Sequence, residues 1–262
     1  MPLTIASWNV NSIKARLPNV LDWLREAKPD VACLQEIKTV DEGFPRMEIE
    51  DLGYNVETHG QKSYNGVAIL SRLPFEEVQA RLPGDEEDEQ ARYLEAVIAA
   101  ESGPVRVATI YLPNGNPAPG PKYDYKLAWM KRLHRHAEGL LAHEEPLVLA
   151  GDYNVIPRDS DCWDPAVWAS DALALPPSRE AFQALKWLGF TEAYEQVDGR
   201  PHQYTFYDYQ RGAWNKGHGI RIDHLLCSPQ AADKLTGVEI HRKTRGETKA
   251  SDHIPIVGTF EL

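Results

Sequence analysis

The chain has 262 residues, 42% of them hydrophobic, which suits one domain, residues 1–262, with a sizeable core. No apolar run approaches the roughly 20 residues of a membrane span, and three unpaired cysteines, Cys33, Cys162 and Cys227, read as core thiols of a reducing cytosol rather than a disulfide framework. A net charge of −11 argues against a nucleic-acid partner only until its distribution is considered. The acids crowd into Asp85-Glu86-Glu87-Asp88-Glu89, while Lys122, Lys126, Lys131, Arg132 and Arg135 form one basic stretch and Arg211, Lys216, Arg221, Arg242, Lys243, Arg245 and Lys249 another.

In chain order, Leu3-Thr4-Ile5-Ala6 reads as a strand running into Ser7-Trp8-Asn9. It starts too close to the N-terminus to leave space for a signal peptide, so cytoplasmic residence without membrane association is expected. Leu17, Val20, Leu21 and Leu24 repeat at helical spacing until Pro29, and Val31-Ala32-Cys33-Leu34 is a second strand stopping at Gln35-Glu36. Segments 66–70, 93–98 and 105–111 follow as strands, the last two joined through Gly103-Pro104 as a hairpin. After a Gly/Pro-rich loop, Leu127, Met130, Leu133, Ala137, Leu140 and Leu141 make one face of a long helix that leads to the strand Leu147-Val148-Leu149-Ala150. Residues 156–177 read as an Asp-, Trp- and Pro-rich loop, and Ser178 as the cap of a helix carrying Phe182, Leu185 and Leu188, with Trp187 in the core. The two halves share helix, proline and buried acid-ending strand, which suggests two similar units packed face to face.

Chemistry is concentrated at strand ends. Gly151-Asp152-Tyr153-Asn154 closes one buried strand, Glu36 closes another and Asn9 a third, so these oxygen-bearing groups converge on the carboxyl rim of the sheets. Carboxylates so close together call for a cation or a steep rise in proton affinity. Mg²⁺ is the expected cation, with Mn²⁺ able to substitute, because both prefer oxygen ligands. His134 and His136 look exposed on their helix and receive no role, and His224 is expected to be structural.

Ser7-Trp8-Asn9-Val10-Asn11, Leu34-Gln35-Glu36, Tyr111-Leu112-Pro113-Asn114, Gly151-Asp152-Tyr153-Asn154, Arg221-Ile222-Asp223 and Ser251-Asp252-His253 together resemble the bacterial branch of the exonuclease III family of apurinic/apyrimidinic endonucleases. The resemblance implies a four-layered α/β sandwich, with two mixed β-sheets packed face to face and helices on the outside. It also implies a catalytic set of Tyr111, Asp152, Asn154, Asp223 and His253 and a metal site drawn from Asn9, Glu36, Asp152, Asn154, Asp252 and His253. Asp152 would position or deprotonate water, Asn154 and Tyr111 would hold the scissile phosphate, and Asp223 would orient His253.

Phe206, Ile220 and Ile222 match the family's abasic-sugar pocket, with Phe206 where some relatives carry Trp. Asn114, Lys122, Lys126, Trp214, Lys216 and Arg221 are the expected DNA contacts. The implied reaction is Mg²⁺-dependent cleavage 5′ to abasic sites in double-stranded DNA, with 3′-to-5′ exonuclease and 3′-phosphatase action at 3′ ends, by a monomer. The competing readings are a phosphatase or phosphodiesterase for a phosphoinositide, sphingolipid or nucleotide, and a DNA-binding module on an inactive nuclease scaffold.

Overall fold

The computed structural model describes residues 2–262. Its twelve strands are β1 (Leu3–Asn9), β2 (Val31–Gln35), β3 (Asn55–His59), β4 (Val67–Ser71), β5 (Phe75–Ala80), β6 (Tyr93–Ala100), β7 (Gly103–Tyr111), β8 (Leu147–Asp152), β9 (Thr191–Glu192), β10 (Asp223–Cys227), β11 (Leu235–Ile240) and β12 (Ile256–Phe260). They form two six-stranded sheets, one ordered β11-β12-β1-β2-β4-β3 and the other β5-β6-β7-β8-β10-β9. Each sheet holds one parallel pair at its centre, β1 with β2 and β7 with β8, and each pair is connected through a long helix, Ile13–Ala27 or Pro121–Leu141. The remaining pairs are antiparallel, so both sheets are mixed and the two halves repeat one plan.

Strand alternation sorts the side chains into layers. Ile5, Cys33, Val67, Val107, Ala150 and Leu225 meet between the sheets. Their neighbours point outward, where Trp8 and Leu34 pack on Val20, Trp23 and Leu24 of the first helix. On the opposite side Leu149 and Ile110 pack on Trp129, Met130 and Leu133 of the second. This is the helix, sheet, sheet, helix stack that the sequence motifs imply. Among the described residues, no helix is long and apolar enough to cross a membrane.

Several local expectations change. The helix assigned to Ser178 begins earlier, at Pro176, because proline is pre-organised for a first helical position; the Ser178 hydroxyl instead donates to the Ala172 carbonyl at 2.6 Å. Trp187 is 79% exposed, not in the core. It lies two residues beyond the buried Leu185, roughly 200° round the helix from it. His136 is half-buried, with Nε2 2.8 Å from the Glu95 carboxylate, and is not a free surface residue. The three cysteines are buried and unpaired as thiols. The 156–177 loop contains a short helix, Pro165–Trp168.

Candidate active site

The same alternation that fills the core builds the site at one end of it. In β8, Val148 and Ala150 face the opposite sheet, and so does Asp152; in β10, Leu225 and Cys227 do, and so does Asp223. The antiparallel register makes Asp152 and Asp223 direct partners, and the parallel register sets Tyr111 beside Asp152. Between apolar core and site lies a buried polar belt: Gln35 Nε2 donates to Thr109 Oγ1 across the sheets at 2.9 Å and to Ser7 Oγ at 3.2 Å. Gln35 of the Gln-Glu pair therefore ties the two sheets together, while Glu36 lies at the rim beside Asp152 and His253.

Glu36 follows the end of β2 with φ of 51°, and Asn154 follows β8 with φ of 46°. Left-handed backbone costs a non-glycine residue of order 1–2 kcal/mol. At Glu36 it turns the side chain, which would otherwise continue onto the outer face, towards the rim. There Asn9 Nδ2 donates to Glu36 Oε1 at 2.8 Å and to Asp152 Oδ2 at 2.9 Å, bracing the two carboxylates. Burial works against the Glu36 charge, yet the Lys38 ammonium at 2.8 Å and Asn9 outweigh it and hold the carboxyl below its usual range.

His253 joins from the segment before β12. Its Nδ1 lies 2.9 Å from Asp223 Oδ2, and its Nε2 is 3.6 Å from Asp152 Oδ2, longer than a hydrogen bond. Trp8 Nε1 donates to the His253 carbonyl at 3.1 Å, and Ser251 Oγ donates to the Asn9 carbonyl at 2.7 Å, so the Ser-Asp-His turn is fastened to β1. Burial opposes the imidazolium, but Asp223 and Asp152 raise its proton affinity to about 10. For Asp152, burial together with the Asp223 and Glu36 charges pushes the carboxyl up to about 7 against the pull of His253. Burial, then the Glu36 and Asp152 charges, keep the Tyr111 phenol protonated, with Arg92 4.7 Å over its ring.

The donor set suits a hard divalent cation. Glu36, Asp152 and His253 offer ligand atoms all within 4.8 Å of one another, and oxygen donors predominate among them. Two of the three are carboxylates. Protonated beside Asp223, the ring acts as a donor and becomes a ligand only on losing its Nε2 proton. Asn9 presents its amide nitrogen to the carboxylates and directs Oδ1 to the Asn11 N–H at 3.0 Å, so ligation through that oxygen requires the amide to turn. Asp252 is held by Asn11 Nδ2 at 3.1 Å, outside the converging group. Asn154 is occupied at both ends, its Nδ2 donating to the Leu112 carbonyl and its Oδ1 accepting from Asn114.

Beside His253 the Phe206 ring stands 4.9 Å away, centroid to centroid, and opens on a cavity of about 300 Å³ lined also by Ile220, Trp163, Trp168 and His218. Ile222 does not line it; it packs beneath, with Ile156 and Cys162. The Trp-rich loop was the sequence signal for this second wall.

Two expected DNA contacts are buried. Lys126 is fully enclosed, its ammonium donating to the carbonyls of Asn154 at 2.6 Å, Asn114 at 3.1 Å and Ala172 at 3.3 Å. A helix residue pointing inward between three loop carbonyls cannot reach a phosphate. Arg221, likewise fully buried, pairs with Asp161 at 3.0 Å and Glu192 at 3.1 Å. Arg132 is also committed, to Asp88 at 2.7 Å, so the first basic stretch folds partly onto the acidic run. Lys122 and Lys216 are exposed, and Trp214 is half-buried against Tyr207 beneath Arg242 and Arg245. His224 is buried against Glu192, as its position in the strand suggested.

Comparison with known proteins agrees with this architecture. Residues 6–253 match the model of the Endonuclease/Exonuclease/phosphatase family. Exodeoxyribonuclease III of Haemophilus influenzae is 31% identical over 97% of this chain and 98% of its own. An AP endonuclease from Archaeoglobus fulgidus superimposes with a TM-score of 0.94 at 35% identity, covering 99% of this chain and all of its own. The 3′ phosphatase NExo from Neisseria, solved with a product DNA hairpin, gives 0.95 at 36% identity, covering 99% and 100% of the two chains. The chain therefore belongs to the endonuclease/exonuclease/phosphatase family, and within it to the exonuclease III group of apurinic/apyrimidinic endonucleases.

Proposed function

We propose that the protein is a Mg²⁺-dependent DNA repair hydrolase that cuts the phosphodiester 5′ to an abasic site in duplex DNA. The same site would remove nucleotides and phosphate from 3′ ends. The observation that carries this reading is His253 set between Asp223 and Asp152 beside Glu36, with the Phe206 cavity adjoining the ring.

A protonated His253 Nε2 faces the position where a non-bridging phosphate oxygen gains charge, and the Tyr111 phenol provides a second donor. Asp152, with its proton affinity near neutrality, accepts the proton of the attacking water. As the new P–O bond forms, the P–O3′ bond breaks, and the departing O3′ takes a proton from solvent. Held by Glu36, with Asp152 left free as the base, Mg²⁺ would offset charge on the phosphate oxygens. The apolar wall at Phe206 and Ile220 suits a deoxyribose without its base, turned out of the helix at a site where unstacking costs least. That wall favours DNA over a small phosphate ester, and the full set of catalytic groups disfavours an inactive binding module. An end-labelled duplex with one abasic site tests the proposal: a single Mg²⁺-dependent cut on its 5′ side is expected, and an uncut strand overturns it.

A further inference from the structure

The segment carrying Trp163 and Trp168 is clamped to the segment carrying Ile220 by a buried charge pair. The Asp161 carboxylate accepts from Arg221 Nε at 3.1 Å and Nη2 at 3.0 Å, from the Arg158 backbone N–H at 3.1 Å, and from the half-exposed Arg158 guanidinium, Nε at 3.1 Å and Nη2 at 3.3 Å. Backbone bonds run alongside, from Arg221 N–H to the Asp161 carbonyl at 2.8 Å and from Trp163 N–H to the Gly219 carbonyl at 3.1 Å. Held this way, Trp163 stacks on His218 at 3.7 Å and 4°, and Cys162 bridges to Ile220. Arg221 is anchored from behind by Glu192 at 3.1 Å. Replacing a buried ion pair by apolar residues is often neutral or stabilising, so stability alone gives little reason to keep one here. Its geometric effect is to fix the cavity wall opposite Phe206.

Resting on the proposed function, we infer that the Asp161–Arg221 pair is a positioning device that sets the width of the sugar cavity, and so the selectivity between abasic cleavage and 3′-phosphate removal. The two reactions break the same P–O3′ bond but differ in what leaves. In abasic cleavage the departing phosphate carries a sugar that must fit between Phe206 and the Trp163 wall. In 3′-phosphate removal inorganic phosphate departs, and nothing extends into the cavity. Loosening the wall should therefore impair one reaction and spare the other.

The test compares wild type and Asp161→Asn on two duplexes, one with a central abasic site and one with a nick bearing a 3′-phosphate, with thermal melting to verify folding. Asp161→Asn is expected to lose about 10- to 100-fold in kcat/KM on the abasic strand, the scale of a sub-ångström misplacement, while 3′-phosphate removal stays within about 3-fold. If that variant does not fold, Arg221→Lys, which keeps a positive charge against Glu192 but loses the two-point hold on Asp161, serves in its place. Rates that fall in parallel, or that both hold, overturn the inference. Wild type idle on the abasic duplex would instead overturn the proposed function from which the inference starts.

Discussion

Asp152 and Asp223 are register partners on neighbouring strands, yet their surroundings divide them: Asp223 is bonded to His253 Nδ1 at 2.9 Å, whereas Asp152 stands 3.6 Å from the other ring nitrogen. One carboxylate orients and charges the ring. The other, its proton affinity raised to about 7 by burial and by its neighbours, is left able to accept a proton.

Replacing Asp223 by Asn removes the main charge that keeps His253 protonated to about pH 10. The raised value means that the imidazolium is present below that pH and lost above it, so the variant's alkaline limb should move to lower pH. Turnover at neutral pH should fall by about two to four orders of magnitude, the range for a proton-handling group. A pH–rate profile on an abasic duplex checks this; an alkaline limb that stays in place contradicts it.

Lys126→Met leaves the carbonyls of Asn114 and Asn154 without their donor, while Ala172 keeps the Ser178 hydroxyl. A loss of about 1–3 kcal/mol in stability per orphaned group is the upper scale, since the loops can relax toward water. The salt dependence of DNA binding should be unchanged, because no phosphate contact is lost. A lysine on phosphate would instead lower the slope of log K against log salt by about 1.

Burial works against the Glu192 charge, but Arg221 and His224 outweigh it and depress the carboxyl to about 2. A depressed carboxylate stabilises the fold above its unfolded value of 4.5, and that contribution is lost as pH falls towards 2. Glu192→Gln should lower stability at neutral pH by about 3–5 kcal/mol, the cost of stranding a buried partner. It should also flatten the acid dependence between those two pH values. Urea unfolding at several pH values decides it; a parallel displacement of the whole curve, with no loss of slope, would contradict it.

Gln35→Leu removes one of the two side-chain bonds that join the sheets through Thr109, leaving the Thr109 hydroxyl on the Leu34 carbonyl at 3.2 Å. Stability should fall by about 1–3 kcal/mol, the cost of leaving buried polar groups unmatched. Guanidinium denaturation measures this, and an unchanged midpoint would show that the polar belt does not hold the sheets.

Much of this was legible because strand alternation is local. Val148, Ala150 and Asp152 share a face whatever the tertiary context, so an acid at the end of a buried run had to emerge at the rim of the core. Glu36 is different: its place depends on a left-handed backbone step that no side-chain pattern encodes. Lys126 and Arg221 were misread for a related reason. Charge in a sequence reads as surface, but here one lysine closes three carbonyls and one arginine lies among Asp161, Glu192 and Glu195, partners 26 to 60 residues away. The edge strands β3, β5, β9 and β11 also escaped the sequence pattern; in β5 every residue after Phe75 is exposed, which leaves no alternation to read.

The most direct measurement places wild type and Asp152→Asn on an end-labelled duplex with one central abasic site, each with Mg²⁺ or EDTA. The arrangement of Glu36, Asp152 and His253 predicts one cut, 5′ to the abasic site, by wild type with Mg²⁺, a loss of about 100-fold or more in the variant, and none with EDTA. Equal cutting by the variant, or cutting that survives EDTA, would contradict the assignment of these residues.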